Sequence, residues 1–179
     1  MKTACRFLSL ALMGALTAGA LSAATPAPAA GAVTVTFDHP EKYTDVRDSW
    51  SDQENERGRD HYLPLLREYL EKTLARRLPA GQQLKVVFSD IDLAGDFEPW
   101  RGAQFDEVRI VKDLYVPRLT FAFMVTNASG TVIRSGDRKL VELAFQFGIT
   151  PGFRDDPLRY EKAMLDKWLG QELATARKG

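Results

Sequence analysis

Six carboxylates stand between positions 90 and 107: Asp90, Asp92, Asp96, Glu98, Asp106 and Glu107. Oxygen-rich sets of this kind support two sorts of chemistry. They hold a hard cation such as Ca²⁺, which takes about six to eight oxygen ligands, or they supply the acid and base of a glycosidase, a pair defined by its separation in space. The spacing lacks the alternating ligands and central glycine of an EF-hand loop, so it specifies no cation site. Asp90, Asp92, Asp96 and Glu98 are the acid/base candidates. To donate a proton, one of them must be partly buried beside another, with its pKa raised. The plainer expectation is a solvated acidic loop, with some carboxylates paired to Arg101, Arg109 or Arg118.

Phe97, Pro99, Trp100 and Arg101 are interleaved with these acids. An aromatic and arginine cluster on a loop has the composition of a recognition surface. The competing expectation makes Trp100 a plug folded over the end of the core, with Arg101 stacked on it or paired with Asp96, because large aromatics are usually buried. Other chemistry is poorly supplied. Two histidines, His39 and His61, and a single cysteine, Cys5, make a structural zinc site improbable, and no metal or cofactor is expected. There is no glycine-rich phosphate loop, G-x-S-x-G elbow or H-E-x-x-H run. Tyr160 and Glu161 read as packing and solubility residues of a helix.

The elements that must position these residues follow from composition and period. The chain has 179 residues, 24 Lys plus Arg against 24 Asp plus Glu, and a formal net charge of zero. That balance carries no basic footprint for nucleic acid and no acidic excess of the kind that keeps a chain disordered. Lys2 and Arg6, the apolar run Phe7 to Leu21, and the small residues Ser22, Ala23 and Ala24 form a secretory signal pattern over residues 1–24. The run, about 15 residues, is shorter than the roughly 20 needed to span hydrocarbon. Cleavage after Ala24 would leave a soluble, thiol-free chain without a transmembrane segment, exported to the periplasm or secreted. Cys5 precedes the apolar run and cannot be a lipid-attachment cysteine. Residues 25–32, rich in Ala and Pro, read as a flexible leader, and 33–179 as one domain.

Val33, Val35 and Phe37 alternate with Thr34, Thr36 and Asp38, which predicts a first strand. His39 to Arg57 has no apolar period and reads as an exposed loop. Leu63, Leu66, Leu70, Leu74 and Leu78 share one helical face, predicting a helix from about Asp60 to Leu78 with Pro64 near its start. Strands are expected at Leu84 to Leu93, at Leu119 to Val125, and from Thr131 to about Phe147 with a bend at Ser135 and Gly136. A short extra strand is expected around Val108 to Val111. In the second strand, Leu84, Val86 and Phe88 set a parity that would carry Asp90 and Asp92 into the core. A bulge near Ser89, or departure of the strand from the core, resolves this conflict. Asp156 followed by Pro157 signals the last helix, whose apolar arc is Leu158, Leu165, Trp168, Leu169 and Leu173. The order β-α-β-β-β-α makes an α+β domain, a mostly antiparallel sheet of about four strands with two helices packed on one face.

Three segments carry a resemblance: Asp90 to Gly102 (DIDLAGDFEPWRG), Val108 to Asp113 (VRIVKD) and Asp156 to Lys162 (DPLRYEK). In this order the chain resembles the bacterial exported family catalogued as domain of unknown function 3016. The resemblance implies a short exported single-domain protein and assigns no catalytic residue. From the residues, the expectation is a non-catalytic binding module that contacts an envelope protein or glycan through Phe97, Trp100, Arg101 and the loop Asp45 to Arg57. The alternative is a hydrolase of an envelope glycan or other polymer that uses the acids of the 90–98 segment.

Overall fold

The computed structural model describes residues 32–147 and 155–176. The expected signal at 1–24 and all of the leader but Ala32 lie outside them, as does the side chain of Leu173. Six strands and two helices run in the order β1 (Ala32–Phe37), α1 (Glu56–Tyr69, continued by a π turn Leu70–Leu74), β2 (Gln83–Asp92), β3 (Asp96–Phe97), β4 (Arg109–Ile110), β5 (Arg118–Thr126), β6 (Val132–Val141) and α2 (Arg159–Ala176). The main sheet has the order β1-β2-β5-β6, and β3 and β4 form a separate two-stranded ribbon. β1 runs parallel to β2 because α1 lies in the crossover between them, while β2, β5 and β6 are antiparallel neighbours. The fold is α+β.

One sheet face carries the core. Leu84, Val86 and Phe88 of β2 and Leu119, Phe121 and Phe123 of β5 are buried against Leu63, Leu66, Leu70 and Leu74 of the first helix and Leu165, Trp168 and Leu169 of α2. Trp168 meets Phe121 and Phe123 edge-on, with centroids at 4.8 and 5.3 Å, the arrangement favoured by aromatic quadrupoles. The parity conflict in β2 is resolved by a bulge. Register slips between Phe88 and Asp90, and Ile91 then turns inward with no exposed surface, leaving Asp90 and Asp92 off the core face.

Three expectations need correction. The stretch His39 to Arg57 is not an exposed loop, since Tyr43, Asp45, Val46, Ser49, Asp52 and Asn55 are buried and Glu56 and Arg57 belong to α1. Asn55 accepts from the Val46 amide (3.0 Å) and donates to the Tyr43 carbonyl (2.9 Å). The backbone of Asp45 exchanges hydrogen bonds with the end of β2 through Ile91 (3.0 Å) and Leu93 (2.9 Å). These polar side chains do locally what an apolar stripe does elsewhere, and they have no period to read. The first helix starts at Glu56, not Asp60, because Asp52 accepts from the amides of Arg57 (3.1 Å) and Gly58 (2.8 Å). Pro64 is therefore interior, and it is tolerated on the exposed side. Gly58 lies so close to the Val46 carbonyl that a Cβ would stand 1.6 Å from its oxygen.

β6 pairs without interruption through Ser135 and Gly136, its register irregularity lying between Val125 and Thr126, and it ends at Val141. Gly136 makes room rather than a bend. It sits opposite Phe123, whose ring carries the Arg138 guanidinium at 4.8 Å.

Candidate functional site

The ribbon β3–β4, the bulged end of β2 and the 38–55 segment meet at one corner. Asp45 is the hub. Its carboxylate accepts from Arg109 Nη1 and Nη2 (3.0 and 3.1 Å) and from Arg47 Nε (3.1 Å). Burial pushes this carboxyl up, but the hydrogen bonds from Arg109 and Arg47 outweigh it and hold the pKa below the ordinary range. Arg47 also donates to Asp96 at 2.6 Å. Asp90 accepts from the Thr44 amide (2.7 Å) and hydroxyl (2.9 Å), and Asp92 accepts from Arg118 at 2.6 Å. Burial pushes Asp92 above the carboxylate range despite Arg118, with Asp45 and Asp90 adding repulsion. Asp45, Asp92, Asp96 and Tyr115 line an open cleft of about 300 Å³.

Glu98 is buried behind the ribbon and is held by Lys112, Arg101 and Tyr115. Hydrogen bonds from Lys112 first and Arg101 second hold its pKa at about 2. The sequence pairings are thus partly rearranged: Arg101 serves Glu98 rather than Asp96, Arg118 serves Asp92, and Arg109 serves Asp45 from 64 residues away.

The expected recognition trio divides. Phe97 is buried, with the guanidinium carbons of Arg109 and Arg47 at 4.8 and 5.7 Å from its ring, so it offers no contact surface. Trp100 is not a plug. It is 72% exposed on the short 3-10 turn Pro99–Arg101, which the Glu98–Arg101 pair fastens to the ribbon. The Trp50 amide donates to the Asp106 carbonyl at 2.8 Å, which brings the 45–57 segment alongside the 99–106 loop, and Trp50 is 39% exposed.

Sequence reasoning missed Lys112 and Tyr115, whose charge and hydroxyl belong to no motif, and it enclosed Arg47 and Trp50 in the loop Asp45 to Arg57 without singling out either. It also took Glu161 for a solubility residue. Glu161 is buried and accepts from the Ala94 amide at 2.8 Å, and burial raises its pKa. Among the described residues, no three His, Cys, Asp or Glu side chains converge as a metal site would require, and no helix is long and apolar enough to cross a membrane.

Residues 31–171 match the family described as protein of unknown function (DUF3016). The chain belongs to that family. The DUF3016 match runs from the start of β1 to Gln171 of α2, so the ionic corner, the cleft and the Trp100 turn all fall inside it. No curated protein and no solved structure matches the chain.

Proposed function

We propose that this DUF3016 protein acts after export, in the periplasm or outside the cell, as a non-catalytic binding module for an envelope protein or glycan, with Trp100 as its anchor. The observation that carries this reading is the exposure of a tryptophan on a turn pinned by an ion pair between the exposed Arg101 and the buried Glu98. An indole left in water costs apolar burial, and the fastened turn removes the ordering penalty that a free loop would pay on binding. Arg101, whose Nε serves the pin, and Trp50 across the Asp106 contact extend the surface. The signal pattern at residues 1–24 supports the location.

Crosslinked pull-down from intact cells, with wild type beside a Trp100→Ala, Arg101→Ala double variant, tests the reading. Partners recovered by wild type should be lost from the folded variant. Recovery of the same partners by both overturns the reading.

A hydrolase reading has one observation in its favour, the half-buried Asp92 in its cleft with a raised pKa. Its intended co-workers are committed elsewhere: Asp96 to Arg47, Asp90 to Thr44, and Glu98 to three donors that keep it ionised. Turnover of an envelope glycan that disappears in Asp92→Asn would establish it over the binding reading.

A further inference from the structure

β1 and β6 are the two edges of the main sheet, and they differ in kind. β6 carries Arg134, Asp137, Arg138 and Lys139, the charges by which edge strands resist pairing. β1, Ala-Val-Thr-Val-Thr-Phe, has no charge and no proline. Its backbone polarity can be read from its two ends. The Ala32 amide donates to Gln82 (3.2 Å) and the Asp38 amide to Phe88 (2.9 Å), so even-numbered residues face β2. By the alternation of a strand, Val33, Val35 and Phe37 turn N–H and C=O away from β2, and among the described residues no backbone or side-chain group answers them.

We infer that β1 is a self-association edge, at which two copies of the chain join antiparallel about a two-fold axis through the Val35 pair. In that register Val35 meets Val35 of the second copy, and Val33 meets Phe37 in both directions. Antiparallel residues of this type exchange both N–H···O bonds, so every outward group of β1 finds a partner at once. The intervening pairs are Thr34 with Thr36, exposed on the open sheet face, a favourable cross-strand combination with no like charges opposed. The sequence of β1 is thus complementary to itself, as an isologous contact requires. Beside Phe37, a groove of about 470 Å³ lined by Leu63, Pro64, Arg59, Asp60 and Arg67 lies opposite the Val33 end of the second copy, so the contact does not set like groove against like groove. The product is one continuous sheet running through both copies.

Sedimentation of the protein as the cell produces it tests the inference. Wild type should sediment at twice the chain mass. Thr34→Lys with Thr36→Lys places lysine opposite lysine and should halve that mass while circular dichroism is unchanged. Thr34→Glu with Thr36→Glu should do the same, and mixing the two variants should restore the dimer, a rescue that misfolded chains would not show. A wild type that stays monomeric at its highest soluble concentration overturns the inference, as does a dimer that the lysine pair leaves intact.

Discussion

Glu98 and Glu161 are equally buried, each 1% exposed, yet their titration moves in opposite directions. Glu98 sits at the ribbon corner, where Lys112, Arg101 and Tyr115 all point donors at it, and it stays ionised down to about pH 2. Glu161 sits in the first turn of α2, where backbone amides, Ala94 foremost, are its hydrogen-bond donors, and burial pushes its pKa up. Burial raises the cost of a charge, and the donors that reach the group decide whether the charge survives. The ribbon side is built from ion pairs that fasten its turn to the buried Glu98. The α2 side carries a carboxylate that burial holds toward its neutral form, and the aromatic exposed beside it, Phe147, ends the 3-10 turn Phe145–Phe147 and lines a cavity with Tyr160 and Met164 of α2.

Breaking the ribbon side should give the largest effect. Asp45→Ala removes a buried carboxylate and leaves the half-buried Arg47 and Arg109 without their shared partner, and should destabilise by about 3–5 kcal/mol in urea unfolding. Loss of under about 1 kcal/mol, the worth of an exposed pair, would mean that the corner is not a unit. The acid response sharpens the contrast next. Because the folded pKa of Glu98 is depressed from 4.5 to about 2, its contribution is fully present above pH 4.5 and is lost as pH falls toward 2. Glu98→Gln should therefore be less stable than wild type at pH 7, with the gap shrinking across that window in urea midpoints.

Glu161 carries the opposite sign. Its folded pKa is raised, so the favourable protonated state is fully available below pH 4.5 and is lost as pH rises through the folded value. Glu161→Gln keeps an acceptor for Ala94 and should raise Tm at pH 7, with the advantage closing below pH 4.5. A lower Tm at pH 7 would show that the carboxylate is better solvated than its burial implies. The smallest stability effect belongs to the displayed residue. Trp100→Ala should change unfolding free energy by no more than about 0.5 kcal/mol, as exposed sites do, while abolishing partner recovery. A larger loss would place the indole in the scaffold.

Features that repeat along the chain at short range could be read before the fold was known. The alternation in β2 and β5 and the leucine stripe of the first helix were legible because burial on one face imposes a period. Two aspartates falling on the wrong parity called for a bulge near Ser89 or a strand leaving the core, of which the bulge is present, and Asp156, expected as the N-cap, accepts the Leu158 amide at 2.8 Å one turn ahead of α2, which begins at Arg159. Tertiary structure alone decided the parallel pairing of β1, the burial of Tyr43 to Asn55, the capture of Glu98 by Lys112, and the outward turn of Trp100 while Phe97 went in. These depend on segments tens of residues apart closing on one another. A charged or aromatic residue in an aperiodic stretch reads the same in the sequence whether it meets water or a partner, and only the closed chain brings the partner within reach.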